Sequence, residues 1–257
     1  MRAKSALALA LALALALALA LALASLQPAG AAEFKLAVIQ FEPWGMRNPD
    51  PQAKEKLIGV VVDLAREFER RSGHTVHLTL TPYIRVEQEL ESGETDFAIM
   101  AWGDARARYA NRGQAFKPPL VFGARFRKGA EVGSYEELRK LSLGTPRGLK
   151  VDPRYDIDPE MRKEWVLDYS TGVRMLGAGR SIDGVVGSLS SIDYAAAKQG
   201  VMDKFGGTLV LNTTALAVAF SKKSPKIGLE AEVNAVFRAI SEEGLDRKIY
   251  EKWFYGR

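Results

Sequence analysis

The sequence predicts an α/β fold in which helices flank a mostly parallel β-sheet. An amphipathic helix that ends at Gly73 is indicated by apolar residues at helical spacing, namely Val61, Leu64, Ala65 and Phe68. Residues 75–80 alternate in polarity as a strand does, and the apolar segment 97–100 predicts another strand. Strands that are separated by helices are joined by crossover connections, which link parallel neighbours. We therefore expect this part of the sheet to be parallel.

The segment from Trp102 to Arg108 directly follows the predicted strand 97–100 and is expected to be a loop. Ligands of parallel sheets bind beyond the carboxyl ends of the strands. A guanidinium can form two charge-assisted hydrogen bonds with a carboxylate. We therefore predict an anion site built on Arg108, with Arg106 as a neighbouring candidate. A surface salt bridge is the alternative role for Arg108.

The first 32 residues have the pattern of a secretory leader. Two basic residues precede a Leu/Ala run from Ala6 to Ala24, and a proline and small residues follow it. We predict cleavage after Ala31 or Ala32 and export to the periplasm. The run is also long enough to cross a membrane, so an uncleaved anchor is the alternative.

Composition restricts the remaining possibilities. The sequence contains no cysteine, which excludes both a disulfide framework and a lipid-modified N-terminal cysteine. Its formal net charge is +5, and part of that surplus belongs to the leader. A surplus of this size gives no reason to expect a nucleic-acid partner. The residues after the leader suffice for two lobes with separate cores, and we expect a monomer.

Strands and helices are also predicted to alternate in the second half of the chain. Ser134 and Glu137 have the spacing of a capping box. The pattern predicts strands at 141–145, 166–169 and 183–187, helices at 159–165 and 192–199 with Ser191 as the cap of the latter, and a helix pair within 229–254 that is broken at Gly244.

Short motifs in a fixed order resemble those of the amino-acid-type periplasmic solute-binding proteins that serve ABC importers. The motifs are Pro43-Trp44, G-x-x-x-D-L from Gly59 to Leu64, L-x-x-G-x-x-D from Leu90 to Asp96, the segments 134–138 and 179–183, and a closing helix near Trp253. The resemblance covers nearly the whole chain after the leader. It implies a two-lobed periplasmic-binding-protein-like fold, in which each lobe is a mostly parallel sheet flanked by helices and two strands form the hinge.

The resemblance also implies lobe boundaries and a function. Residues 33–120 and 215–257 would form lobe one, and residues 121–214 would form an inserted lobe two. The hinge strands would lie within 118–125 and 212–220. A small carboxylate or amino-acid-like solute would be captured between the lobes and delivered to an inner-membrane ABC permease. Presentation of the closed form to a periplasmic sensor is an alternative.

The family's ligand positions map onto several residues of this chain. Arg108 lies where the family has its carboxylate-binding arginine, and Gly103 replaces a threonine of the family. Phe41 and Tyr83 match positions that sandwich the ligand. Trp44 and Trp102 would face the cleft as well, with core packing as the alternative.

Two further candidates lie in the second lobe's predicted turns. The turn 144–148 would offer backbone N–H groups, and Arg147 and Gly148 stand at its end, although an ordinary turn explains them equally well. Ser188 stands where amino-acid binders of the family have an aspartate for the ligand's ammonium. Since a hydroxyl cannot neutralise a buried ammonium, the sequence favours a carboxylate without an amine, or an amine held on an aromatic ring.

Motifs of catalysis or metal binding are missing. His74 and His77 have no cysteine or carboxylate cluster around them, and neither a Walker A nor a G-x-S-x-G motif occurs. We therefore expect that the protein binds no metal and no cofactor and that it is not an enzyme. The alternative is an enzyme on the same scaffold, similar to cyclohexadienyl dehydratases. That enzyme would need a general acid, for which Asp152, Asp156 and Glu164 are the candidates.

Overall fold

The computed structural model describes residues 30–256, and the predicted leader lies outside them except for residues 30–32. The strands are β1 (Glu33–Ile39), β2 (Met46–Arg47), β3 (Leu57–Ile58), β4 (Thr75–Thr81), β5 (Phe97–Ala101), β6 (Ala110–Arg127), β7 (Ser142–Pro146), β8 (Arg162–Val166), β9 (Gly184–Ser188) and β10 (Phe205–Ser221). The α-helices are α1 (Val60–Ser72), α2 (Tyr83–Ser92), α3 (Tyr135–Leu138), α4 (Pro153–Ile157), α5 (Tyr169–Gly177), α6 (Leu189–Lys198), α7 (Glu230–Glu242) and α8 (Leu245–Tyr255). Short 3₁₀ helices span Asp104–Arg108, Met202–Lys204 and Ile227–Leu229.

Eight strands form one sheet in the order β4-β1-β5-β10-β6-β9-β7-β8. Strand β1 pairs in parallel with β4 and β5, and β7 pairs in parallel with β8 and β9. We call the part around β4, β1 and β5 the first lobe, and the part around β9, β7 and β8 the second lobe. The expectation of parallel pairing within each part is confirmed.

The long strands β6 and β10 connect the two lobes. They pair with each other in antiparallel fashion over most of their length, with several bulges. Strand β10 also pairs with β5 through residues 216–220, and β6 pairs with β9 through residues 122–126. Each lobe therefore contains part of both strands. We propose that the lobe boundaries lie inside these strands, near residues 120 and 215.

Aromatic residues dominate the core of the first lobe. Phe68 stacks on Phe237 with ring centroids 4.9 Å apart, and Phe97 stacks on Phe220 at 5.9 Å. Phe34 meets the rings of Phe68 and Phe97 edge to face. All five side chains are fully buried. Burying such large apolar surfaces fixes α1 and α7 against the sheet.

Several predicted elements are confirmed. Helix α1 ends at Gly73, which adopts the left-handed conformation with φ 73°. Ser134 and Glu137 form the predicted capping box at α3. Gly244 separates α7 from α8 in the left-handed conformation.

Three predictions in the second lobe are wrong. Residues 159–165 do not form a helix; 162–166 form strand β8, which pairs with β7 at the sheet edge. Residues 166–169 are not a strand of their own, because Asp168 accepts a hydrogen bond from the Thr171 N–H and starts α5. Ser191 does not cap a helix, since α6 begins at Leu189 and Ser191 lies within it.

Candidate functional site

A cavity with an empty volume of about 450 Å³ lies between the two lobes. The ends of β1 and β5, the middle of β6 and β10, and the start of α2 and α5 contribute its walls. Thirteen of its fourteen lining residues are aliphatic or aromatic: Ile39, Phe41, Trp44, Val61, Tyr83, Ile99, Met100, Ala101, Leu120, Phe122, Leu149, Tyr169 and Leu216. The fourteenth is Ser188. This lining favours apolar ligand surface.

Aromatic rings from both lobes meet in this cavity. Phe41 stacks on Tyr83 of the first lobe, with ring centroids 6.0 Å apart and an interplanar angle of 15°. Phe41 also packs on Tyr169 of the second lobe at 5.1 Å with a tilt of 50°. The three rings form a continuous aromatic surface across the two lobes.

The polar groups of the cavity wall form hydrogen bonds within the protein. The Ser188 N–H donates to the Tyr169 hydroxyl at 3.0 Å, and the Trp44 indole Nε1–H donates to the Ser191 hydroxyl at 2.8 Å. The Ser191 hydroxyl donates in turn to the Ser188 hydroxyl at 3.2 Å. Burial raises the pKa of Tyr169, so its hydroxyl stays neutral. The aromatic wall therefore carries no charge.

Gly187 determines where the Tyr169 ring can lie. Its φ is 153°, and a Cβ placed there would come within 2.2 Å of the Tyr169 Cε1 atom. A side chain at this position would require both a disfavoured backbone conformation and a displaced ring. The close approach of β9 to Tyr169 thus depends on glycine.

Arg106 is buried behind two residues of the cavity wall, Tyr83 and Ala101. Its Nη1–H donates to the Ala101 carbonyl at 2.7 Å, and its Nε–H donates to Glu87 Oε2 at 3.2 Å. Its Nη2 donates to the Tyr83 hydroxyl and to Glu87 Oε1, and Glu87 also accepts from the Tyr109 hydroxyl. Four of the five N–H groups of the guanidinium thus donate to protein oxygens.

The electrostatics of this group keep the arginine charged. Burial lowers the pKa of Arg106, but Tyr83 and Glu87 raise it, and the net pKa lies above the ordinary value. Burial is also the main cause that raises the pKa of Tyr83. The positive charge of Arg106 is therefore permanent, and the carboxylate of Glu87 neutralises it.

Arg108, the predicted anion receptor, lies elsewhere. It is exposed, its Nε–H donates to the Ala105 carbonyl at 3.4 Å, and it is not among the residues that line the cavity. The segment is a 3₁₀ helix rather than the expected loop. With three residues per turn, residues two apart point in different directions, so Arg106 is directed inward and Arg108 outward. The structure thus places Arg106 rather than Arg108 next to the cavity.

The other predicted positions separate into two groups. Phe41, Trp44, Tyr83 and Ser188 all line the cavity. Trp102 and Gly103 do not line it. The Trp102 N–H donates to the Ala215 carbonyl at 2.8 Å, and the Trp102 carbonyl accepts from the Thr214 hydroxyl at 2.7 Å. Gly103 lies against the Arg106 guanidinium.

Arg147 and Gly148 lie at the mouth of the interlobe space. Arg147 is exposed and lines an outer cleft of about 910 Å³ together with Phe41, Tyr83 and Trp165. The Arg147 N–H already donates to the Val166 carbonyl at 3.1 Å. Gly148 has a φ of 80° and packs on Ile84 of the first lobe. The turn therefore closes the edge of the cleft.

Sequence reasoning missed two residues of this site. Tyr169 was expected at the end of a strand, although the Asp168 cap could have indicated a helix start that directs Tyr169 inward. Glu87 lies one helical turn after Tyr83, and this spacing places both side chains on one face of α2. A carboxylate on that face was a signal that the nearby arginine has a partner.

The three candidate acids for catalysis lie outside the cavity lining, and two of them accept hydrogen bonds from the backbone. Asp152 caps α4 by accepting from the Arg154 N–H at 2.9 Å, and Asp156 accepts from the Val151 N–H at 3.1 Å. Glu164 is exposed on β8. None of the three is among the residues that line the cavity.

Two cohesive lobes, two shared strands and a cavity between them define the class of two-lobed α/β binding proteins. The sequence model of the bacterial extracellular solute-binding proteins, family 3, matches residues 36–256. The chain therefore belongs to this family, as the motifs indicated, and the predicted fold class is confirmed. No curated protein sequence matches the chain.

Solved structures with the same fold have diverse roles. A mutant of ArgBP from T. maritima is 19% identical, with a TM-score of 0.72 over 86% of this chain and 95% of that one. A histidine kinase sensor domain with similarity to periplasmic binding proteins is 16% identical, with a TM-score of 0.72 over 89% and 97%. The ancestral amino acid-binding protein AncCDT-1, a precursor of cyclohexadienyl dehydratase, is 17% identical, with a TM-score of 0.67 over 86% and 95%.

Residues 30–256 contain neither a helix that could span a membrane nor a candidate metal site. No helix in this range is long and apolar enough to cross a membrane. Within the same range, no group of three or more His, Cys, Asp or Glu residues could hold a metal ion.

Proposed function

We propose that this protein is a periplasmic solute-binding protein that captures a small solute in the interlobe cavity and presents its closed form to an ABC importer. The observation that carries this proposal is that residues of both lobes line one cavity. A solute that contacts both walls binds the closed arrangement better than an open one, and so shifts the population toward closure.

Direct contacts between the lobes support the same mechanism. Trp44 of the first lobe reaches Ser191 of the second, and Lys198 on α6 pairs with Glu42 at 2.7 Å. Both contacts would break if the lobes separated. They stabilise the closed arrangement together with the solute.

Binding fits the cavity better than catalysis does. The fourteen lining residues include no Asp, Glu, His, Lys or Arg, so the cavity wall has no carboxyl, imidazole or amine group to act as a general acid or base. Burial raises the pKa values of the two lining tyrosines, Tyr83 and Tyr169, and so favours their neutral forms. The two arginines give no added support to a carboxylate-bearing solute, because Arg108 is exposed outside the cavity and Arg106 is paired with Glu87.

The test uses protein purified after expression of the full-length sequence, with bound solute removed by partial unfolding. A thermal-shift panel of amino acids, dicarboxylates, keto acids, amines, sugars and uncharged ring compounds identifies a solute. Ligand at about a hundred times its Kd stabilises the native state by about 2.7 kcal/mol. Small-angle scattering should then show a smaller radius of gyration with the solute. Binding without compaction would contradict capture by lobe closure.

Delivery to an importer needs a separate experiment. Uptake of the identified solute by cells of the source bacterium should fall when the gene is deleted and recover when it is restored. Unchanged uptake, together with an altered transcriptional response to the solute, would instead support a sensor as the partner.

A further inference from the structure

In the part of the chain that the structure describes, no charged side chain lines the interlobe cavity, so its walls provide no counter-charge for a charged solute. A carboxylate or ammonium that entered this space would lose its hydration without gaining a counter-charge. An uncharged molecule loses much less hydration free energy when it enters the cavity.

The hydrogen-bonding groups of the wall are few, and each already has a partner within the protein. The Tyr83 hydroxyl accepts from Arg106, the Tyr169 hydroxyl accepts from the Ser188 N–H, and the Trp44 indole donates to Ser191. Among residues 30–256, no buried side-chain nitrogen or oxygen lacks a hydrogen-bond partner. The cavity therefore offers mainly apolar surface to a solute and few groups for hydrogen bonding.

The arginine nearest to the cavity is sealed from it. Its guanidinium lies behind Tyr83 and Ala101, and only about 5% of the Arg106 surface is exposed. Both carboxylate oxygens of Glu87 accept hydrogen bonds from this guanidinium. The positive charge behind this wall is thus neutralised by a carboxylate of the protein itself.

From these observations we infer that the interlobe cavity selects an uncharged solute with an aromatic or aliphatic body, and that Glu87 disfavours carboxylates by neutralising the charge of Arg106 behind the cavity wall. The inference rests on the proposed function and names its solute class. The surface formed by Phe41, Tyr83 and Tyr169 provides ring contacts.

The test compares probes that share a ring and differ in charge. Benzyl alcohol and indole are uncharged, benzoate is an anion, benzylammonium a cation, and phenylalanine a zwitterion. Calorimetry and thermal shift on the purified protein should show that benzyl alcohol binds at least about tenfold more tightly than benzoate or phenylalanine. The inference is overturned if benzoate, benzylammonium or phenylalanine binds as tightly as benzyl alcohol, or if neither uncharged probe binds.

A pair of variants tests the part assigned to Glu87. Glu87→Gln removes the charge that neutralises Arg106, whereas Glu91→Gln removes the same charge from an exposed position of the same helix, α2. The ratio of benzoate affinity to benzyl alcohol affinity should rise about tenfold or more in Glu87→Gln and stay unchanged in Glu91→Gln. An unchanged ratio in a folded Glu87→Gln protein overturns the role of Glu87. If that variant does not fold, the comparison of probes on the wild-type protein still decides the solute class.

Failure of this inference is distinguishable from failure of the proposed function. If an amino acid or dicarboxylate binds and reduces the radius of gyration, the function stands and the uncharged solute class is wrong. If no compound of any class binds, both are wrong.

Discussion

Glu87 and Arg106 neutralise each other behind the ring of Tyr83, where Arg106 Nε and Glu87 Oε2 lie 3.2 Å apart. The guanidinium is buried and the carboxylate is partly exposed. Breaking a buried pair leaves one charge uncompensated, which costs more than the pair itself contributes. The pair therefore fixes α2, which carries Tyr83, against the 3₁₀ helix Asp104–Arg108, and it holds one wall of the cavity in place.

We expect the two members of this pair to be energetically coupled. Arg106→Met should lower the free energy of unfolding by about 3 kcal/mol, since it leaves Glu87 without its counter-charge. Glu87→Gln should cost at least as much, because it leaves the more deeply buried guanidinium of Arg106 without its counter-charge. The double variant should be more stable than the sum of the single effects predicts, by about 1–3 kcal/mol. Urea unfolding of the four proteins measures this coupling. Additive effects would show that the two side chains act independently.

The bond between Trp44 and Ser191 should favour the closed arrangement of the lobes. Ser191→Ala removes the acceptor of the indole N–H and so destabilises the closed arrangement by about 1 kcal/mol. An open arrangement lacks this bond and is not destabilised. We expect a larger radius of gyration for Ser191→Ala than for wild type in small-angle scattering. Ser181→Ala, an exposed serine of the same lobe, is the matched control. Equal radii for all three proteins would mean that the bond has no part in closure.

Gly187 should tolerate no side chain. In Gly187→Ala the new Cβ would overlap the Tyr169 ring, so strain and displacement of the ring together should cost about 2–4 kcal/mol. Gly200→Ala is the control, because Gly200 also has a positive φ, 66°, but has no atom within 4 Å of the added Cβ. It should cost about 1–2 kcal/mol from backbone conformation alone. Urea unfolding compares the two. Equal losses would show that contact with Tyr169 is unimportant.

Local signals explain which parts of the fold were predictable. Helix α1 has apolar periodicity and a terminal glycine, and the capping box at α3 lies within four residues. Strand β8 was not predictable, because residues 159–165 include Glu, Met, Arg and Lys, which favour helices. Its strand conformation comes from pairing with β7, a tertiary contact that overrides local preference.

The site was predictable in most of its aromatic part and not in its charged part. Phe41, Trp44 and Tyr83 were assigned to the cleft from the family resemblance and do line the cavity, whereas Trp102 does not. Spacing assigned the anion site to Arg108, but the direction of each arginine depends on a 3₁₀ turn that spacing does not report. The role of Arg106 depends further on Glu87, a partner 19 residues earlier in the chain, so only the fold brings the two together.

Two glutamates should respond to pH in opposite directions. Hydrogen bonds from Arg70, with a further contribution from Arg71, lower the pKa of Glu67 to about 2. Burial raises the pKa of Glu89 above its ordinary value. A lowered pKa in the folded state contributes stability above the ordinary pKa of about 4.5, and that stability is lost as the pH falls toward 2. A raised pKa has the reverse effect, because the folded state then favours the protonated form.

Replacing each glutamate by glutamine therefore gives a sharp comparison. At pH 7, Glu67→Gln should lower the free energy of unfolding by about 1 kcal/mol, and the difference from wild type should shrink as the pH falls below about 4.5 toward 2. Glu89→Gln should instead be as stable as wild type or more stable at pH 7, because it removes a carboxylate whose ionised form burial disfavours. Its advantage should disappear at acidic pH, where the wild-type Glu89 is protonated. Urea unfolding at fixed ionic strength from pH 7 to pH 3 measures both trends. Parallel pH profiles for the two variants would contradict the assigned shifts. Shifts of opposite direction must change the stability difference from wild type in opposite directions as the pH falls.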